Sequence, residues 1–287
     1  MKKVAVVGSV NRDLILTLDR FPQQGETILG KKFQISYGGK GANQAIALNR
    51  LKTPIKFFGQ LGQDEAGKEL TNFFQTENLD YDINWTNLAT GFATIINYQH
   101  DNRIMVFSGA NMANSCDYEN YLKAQLKPFD IILLQCEINP DLNLAIAQWA
   151  HQHNKTVILN PAPVDKFNPK ILSVINYLLP NEREYHNLVK NNSLTNIKLV
   201  ITKGAKGASF FQGNQEQLVP ALTNLNVIDS TGAGDAFIGG FVYGLAQGYS
   251  LTKCIRCGNI VGGKNTEMLG ATSGMIDQTT LNRLLTL

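Results

Sequence analysis

The chain has 287 residues, 44% of them hydrophobic and 17% charged, with a net charge of +3. That composition suits one large α/β domain with an appendage, or two modest domains. Lys and Arg are dispersed, so no basic stripe points to nucleic acid, and no apolar run approaches the ~18 residues of a membrane span. A cytoplasmic protein is expected.

The first apolar run, Val4 to Val7, follows two lysines as a signal peptide would, but Asn11, Arg12 and Asp13 break it. It reads better as a core strand over 3–7. Strand-like segments at 14–18 and 28–36 come next. The stretch Ser36-Tyr37-Gly38-Gly39-Lys40-Gly41-Ala42-Asn43-Gln44 then opens a helix over 41–51. Its order is not that of a Walker A loop. Paired glycines before a helix let backbone approach a ligand, and Lys40 lies at the helix end that disfavours a cation, which suggests that it serves a ligand.

Strands over 55–60, 131–136, 156–160, 177–179, 199–202 and 208–211 then alternate with helices over 65–77, 141–153, 182–189, 235–247 and 250–262. The alternation predicts a doubly wound, mostly parallel α/β sheet with helices on both faces. Segments 92–98 and 103–107 break it. With 14–18 and 28–36 they have no intervening helices, and a small antiparallel β lid formed by about 14–36 and 92–107 is expected. Ligands of such sheets bind at the carboxyl ends of strands. Asn11, Asp13, Glu137, Asn160, Asn181 and Thr202-Lys203-Gly204 all follow strands, which favours one shared cleft.

The richest segment is Val227-Ile228-Asp229-Ser230-Thr231-Gly232-Ala233-Gly234-Asp235, running into a helix. The glycines let the chain bend, and the N–H groups of 232–235 would face outward at a helix N-terminus, where an anion is favoured. Asp235 adds a carboxylate. A base beside an anion cradle is what transfer of a phosphoryl group to an alcohol requires. The plainer reading makes Asp235 a first-turn acid and the glycines a tight turn.

Two patterns are set aside. Cys254-Ile-Arg-Cys257 has no second pair, Cys116 and Cys136 are distant, and His100, His151, His153 and His186 lie far off in sequence, so two helix positions three apart explain it. Gly258 to Lys264 matches GxxxxGK but follows no buried strand.

Together these segments resemble the ribokinase family of carbohydrate kinases over nearly the whole chain. The residues that carry the likeness are Gly8 to Asp13, Gly38 to Asn43, Leu134 to Glu137, Asn160 to Pro163, Pro180 to Glu184, Thr202 to Gly207 and Asp229 to Asp235. The resemblance implies an ATP-dependent kinase acting on the 5-hydroxymethyl group of D-ribose. Deoxyribose, fructose or a nucleoside is an alternative substrate, and a non-catalytic sensing relative is the rival outside catalysis. Asp235 would be the general base, with Gly232, Ala233 and Gly234 as the anion hole. Asn11, Asp13, Gly39, Lys40, Asn43 and Glu137 would hold the sugar. Asn181 and Glu184 would organise Mg²⁺, and Thr202, Lys203, Gly204, Ala205, Lys206 and Gly207 the nucleotide phosphates. A potassium ion would contact Asp229 and Thr231 and reach Asn265, Met268 and Gly270.

Two departures from the family pattern stand out. The chain between Glu184 and Thr202 is short, and Lys264, Asn265, Thr266 and Glu267 alter the segment 258–270 that would wall the adenine and reach the cation. The Lys264 ammonium could replace that ion. A homodimer through the lid is also expected, because Leu14, Ile15, Leu16, Ile95, Ile96, Met105 and Val106 cannot all face the sugar.

Overall fold

A computed structural model describes all residues except 99, 100, 191, 195, 196, 214 and 287, and omits the side chains of 101 and 102. Residues 99 and 100, within the expected lid, and three residues of the shortened segment thus lie outside the described residues, as does His100.

The chain begins with β1 (Val4–Val7), every residue of which is buried. Its side chains alternate between two hydrophobic cores, Val4 and Val6 in one and Ala5 and Val7 in the other, so β1 lies mid-sheet with helices on both sides. The remaining main-sheet strands are β4 (Ile55–Gly62), β5 (Tyr81–Thr86), β8 (Ile131–Gln135), β9 (Thr156–Asn160), β10 (Tyr177–Leu178), β11 (Lys198–Thr202), β12 (Gly207–Gln212) and β13 (Gln215–Pro220). They run in the order β13-β12-β11-β10-β9-β8-β1-β4-β5. Pairing is parallel from β5 to β11 and antiparallel at β12 and β13. The carboxyl ends of the parallel strands therefore share one edge, which is where Glu137, Asn160, Asn181 and Thr202 stand.

Helices α1 (Lys40–Arg50), α2 (Glu65–Thr76), α6 (Ala233–Ala246), α7 (Leu251–Asn265) and α8 (Gln278–Leu285) contribute to the first core, and α3 (Cys116–Gln125), α4 (Pro140–Gln152) and α5 (Glu182–Val189) to the second. Glycines set how closely α6 lies on its neighbours. A Cβ on Gly239 would stand 2.3 Å from the Ala47 Cβ, and one on Gly244 2.8 Å from the Cys254 Cα. Cys254 and Cys257 are thus buried contacts beneath α6, and burial raises their thiols to about 12 and about 11. Gly258 to Lys264 lies inside α7, so the GxxxxGK pattern is helical packing.

The second sheet joins β2 (Asn11–Thr17), β3 (Lys32–Gly38), β6 (Phe92–Tyr98) and β7 (Asp101–Phe107) in the order β3-β2-β6-β7. Two antiparallel hairpin pairs meet along a parallel β2–β6 pair. The lid begins four residues after β1, so Asn11 and Asp13 ride on it above the cleft. Residues 28–31 stay outside β3, and Leu29 is 96% exposed. Among the described residues no helix is long and apolar enough to cross a membrane.

Candidate active site

Helix α6 starts at Gly232, whose φ of 72° is left-handed and suits glycine, and no side chain caps it. A Cβ on Gly232 would lie 2.1 Å from the Ala271 carbonyl oxygen, so this turn is seated on the loop after α7. At Gly234 a Cβ would meet nothing within 4 Å, which leaves open space over the helix end. The Ala233 N–H donates to Ser230 O at 3.2 Å, a turn contact that removes it from a free anion cradle. The N–H groups of Gly232, Gly234 and Asp235 have no partner among the described residues.

Asp235 is 7% exposed, and both its oxygens are held. Asn43 Nδ2 donates to Oδ2 at 2.9 Å and Gln44 Nε2 to Oδ1 at 3.0 Å, both from the first turns of α1. Gln44 is fixed in turn, since Gln135 Nε2 donates to its Oε1 at 2.8 Å. Gln44 also lies 3.4 Å from Asn160 Oδ1, and Asn160 donates to Leu179 O. A buried amide network from three strand ends thus fixes the carboxylate's orientation. Gln44 and Gln135 had no role in the sequence reading. Their signal is a polar side chain inside an otherwise apolar run.

The glycines at the start of α1 also allow a close backbone approach within the protein. A Cβ on Gly39 would stand 2.7 Å from the Val10 Cα, and one on Gly41 2.6 Å from the Gly8 carbonyl carbon and the Ser9 nitrogen. They let the start of α1 press against the β1–β2 turn. Glu137 closes that junction, accepting from Ser9 Oγ at 2.6 Å and from the Lys40 N–H at 3.0 Å. Glu137 therefore caps α1. Asn111 clamps the same turn through Val10 N, Val10 O and Asn11 Oδ1. Ser9 and Asn111 were not anticipated.

Above this floor, burial and then the nearby Glu137 charge raise the Asp13 carboxyl from 3.8 to about 7. Asp13 Oδ1 and Asn43 Oδ1 are buried acceptors without a donor, which hydroxyl groups of a ligand would satisfy. Burial opposes the Lys40 charge, but the carboxylates of Asp235, Glu137 and Glu184 outweigh it and hold the ammonium protonated above its ordinary range. Cys136, beside Glu137, is pushed up to about 12 by burial and neighbouring acids, so it is a neutral wall.

Asn181 and Glu184 form a capping box on α5: Asn181 Oδ1 accepts from Glu184 N at 2.8 Å, and Glu184 Oε2 from Asn181 N at 2.9 Å. One Glu184 oxygen remains for other use, and the side chain is close enough to act on Lys40. In the loop after β11, Gly204 has a left-handed φ of 55° with open space at its Cβ position, whereas a Cβ on Gly207 would meet Val219 O at 2.2 Å. Lys203 Nζ pairs with Glu216 at 2.6 Å, and the Lys206 ammonium has no ion-pair partner among the described residues. Thr202 bridges to Asn181, and Ala205 sits in the short turn 204–206.

Before α6, Asp229 Oδ1 accepts from Thr231 N and Oγ1 at 2.9 and 2.7 Å, and Oδ2 from Gly270 N at 2.9 Å. Burial pushes its carboxyl up, but these bonds prevail and hold it below its ordinary range. Lys264 Nζ is paired with Glu267 at 2.7 Å. Met268 is 52% exposed.

Residues 1–278 match the model of the pfkB family of carbohydrate kinases. A ribokinase of Lactococcus lactis is 36% identical over 96% of this chain and 94% of its own length. A ribokinase of Bacillus subtilis is 33% identical over 99% of this chain and 100% of its own. The structure of Arabidopsis thaliana ribokinase complexed with ribose and ATP superposes with a TM-score of 0.90 at 29% identity, covering 100% of this chain and 99% of that one. With this coverage and a buried acid beneath open helix N–H groups, the chain belongs to the pfkB family of carbohydrate kinases.

Proposed function

We infer that this chain phosphorylates the 5-hydroxymethyl group of D-ribose with ATP. One observation carries the reading: Asp235 is fixed by two amide donors at the N-terminus of α6, beside unpartnered N–H groups and below two orphan acceptors. The similar ribokinases support the sugar and the nucleotide.

Asp235 accepts the proton of the attacking hydroxyl, because Asn43 and Gln44 hold its oxygens without donating a full charge to them. The N–H groups of Gly232 and Gly234 stabilise charge on the transferring phosphoryl group, and the Lys40 ammonium adds a cation to that space. Asp13, Asn43, Glu137, Asn11 and the backbone at Gly39 hold the sugar hydroxyls. A site whose acceptors are buried and unpaired rejects analogues that lack the matching hydroxyl. The loop 202–207 faces the nucleotide phosphates with Gly204 and Lys206. The exposed apolar side chains Val227, Ile228, Met268 and Leu269 stand where 228 and 229 meet Thr266, and they offer a wall for the base.

Glu184, through its free oxygen, and Asn181 fit a magnesium ion that arrives with the nucleotide, since Mg²⁺ keeps several waters and needs one or two carboxylates. Magnesium neutralises phosphate charge when bound. The potassium expectation fits less well: Thr231 O already accepts a hydrogen bond from Asn265, and both Asp229 oxygens accept hydrogen bonds from Thr231 and Gly270. A homodimer through the lid belongs to the same reading. Leu14, Leu16, Phe33, Ile35, Ile96, Met105 and Phe107 share one lid face by register, and four of them are more than two-fifths exposed.

ADP release measured across pentoses, hexoses and nucleosides with Mg-ATP tests the assignment. The highest kcat/KM is expected with ribose. A higher value for deoxyribose, fructose or a nucleoside would reassign the sugar, and no release with any of them would favour a sensing relative.

A further inference from the structure

The anion-hole turn is tied to the chain after α7 by side chains from both sides. Asn265, the last residue of α7, is fully buried although it ends a helix. Its Nδ2 donates to Thr231 O at 3.1 Å and to Ala271 O at 3.0 Å. Thr231 immediately precedes Gly232, and Ala271 is the residue on which Gly232 is seated. The two N–H bonds of one amide therefore bridge the carbonyls on either side of that turn. Asp229 ties the same segments through Gly270, and the N–H groups of Ile228 and Asp229 both donate to Thr266 O, at 2.8 and 3.1 Å.

Two carbonyl oxygens converging in a buried place need a positive partner, either a cation or a pair of N–H donors. Here the Asn265 amide supplies the donors. The amide's orientation follows from these bonds: turned by half a turn, Oδ1 would join the two carbonyls and make three oxygens that a cation alone could reconcile. The remaining Asn265 Oδ1 is buried without a partner, which costs stability. A side chain kept at such a cost directly behind the catalytic turn has a positioning role to perform. Gly274 leaves the room this requires, since a Cβ there would lie 2.5 Å from Asn265 O.

We propose that the Asn265 carboxamide is a built-in clip that holds the anion hole in place, so that turnover proceeds without a bound monovalent cation. Asn265 is a positioning residue: it acts through Thr231 and Ala271 on the Gly232 and Gly234 N–H groups and touches no substrate. The proposal rests on the sugar-kinase reading for its kinetic arm but not for its binding arm.

The test compares potassium chloride with tetramethylammonium chloride at equal ionic strength, reading kcat, KM for ribose and Tm. The unaltered enzyme should show kcat values within about twofold in the two salts, because the hole is already organised. Its Tm should be the same in both, since an ion that binds the folded state would raise it. Asn265→Asp keeps the shape but turns a third oxygen on the carbonyls. In the organic salt it should lose about tenfold or more in kcat with little change in the ribose KM, and potassium should restore kcat and raise Tm. Asn265→Ala should lose kcat in the same way. Potassium activation of the unaltered enzyme by about tenfold, or a potassium-dependent rise in its Tm, would overturn the clip. So would an Asp variant that matches the unaltered enzyme in both salts. If the unaltered enzyme turned over no sugar in either salt, the kinase reading would fail, and the Tm responses would still decide the clip.

Discussion

Ribose binding should tighten as pH rises from about 5 to about 7, and the cause is Asp13. In the free protein, burial and Glu137 hold this carboxyl at about 7 instead of 3.8. Sugar hydroxyls donate hydrogen bonds, which favour the ionised acid, so binding releases a proton where Asp13 is protonated. At its pKa the acid is about half ionised and two units below it about 1%, so if the ionised form alone binds, affinity falls by up to about 50-fold between pH 7 and pH 5. The stability of the free enzyme runs the other way. Between 3.8 and about 7 the native state keeps a proton that the unfolded chain has released, so stability declines as pH rises through that window and levels off above it. Calorimetric titration in two buffers of different ionisation enthalpy reads the released proton directly. Asp13→Asn should bind ribose more weakly by ~1–3 kcal/mol at neutral pH and lose the pH dependence. A dissociation constant for the unaltered enzyme that is flat from about pH 5 to 7, with no proton exchange, would refute the reasoning.

Gln44→Met keeps volume but removes one of the two donors on Asp235, and kcat should fall by ~10–100-fold with a smaller change in sugar affinity; unchanged single-turnover rates would remove Gln44 from the positioning network. The glycines should separate by role. Gly41→Ala drives a Cβ into the Gly8–Ser9 backbone and should cost about 1–3 kcal/mol in denaturant unfolding, whereas Gly234→Ala should leave stability intact and impair turnover, because its Cβ enters the open space over the helix end. Light scattering at micromolar concentration should show a dimer, and Met105→Glu on the apolar lid face should shift it to monomer; a fully active monomer would sink the lid interface.

The acid and its glycines were legible because they are local: Gly232 to Asp235 bends the chain and starts a helix within four residues. The parallel strands were legible for a similar reason, since continuous apolar runs such as Ile131 to Leu134 leave little choice. What escaped depends on residues far apart. The packing of Gly39 and Gly41 against Gly8 to Val10 escaped because those residues lie about thirty positions away in sequence and meet them only in the fold. Gln135 lies inside the apolar strand expected over 131–136, and its partner Gln44 comes from a distant helix that meets it only in the fold. Strands β5 and β13 are missed because edge strands carry polar residues, as in Gln215-Glu216-Gln217. Helix α3 has a weak apolar pattern and buries only Tyr118 and Leu122. Motif resemblance pointed to Asn181 and Glu184, while their reciprocal capping of α5 became visible only with the backbone in place.

Single-turnover phosphorylation of ribose by Asp235→Asn tests the central claim most directly. The substitution cannot accept the hydroxyl proton, and it places an N–H2 group against one of the donors Asn43 Nδ2 and Gln44 Nε2, a local conflict of about 1 kcal/mol. Ribose should therefore still bind, measured by calorimetry, while the phosphorylation rate drops by ~10²–10⁴-fold. A rate near that of the unaltered enzyme, with binding preserved, would contradict the assignment of Asp235 as the base.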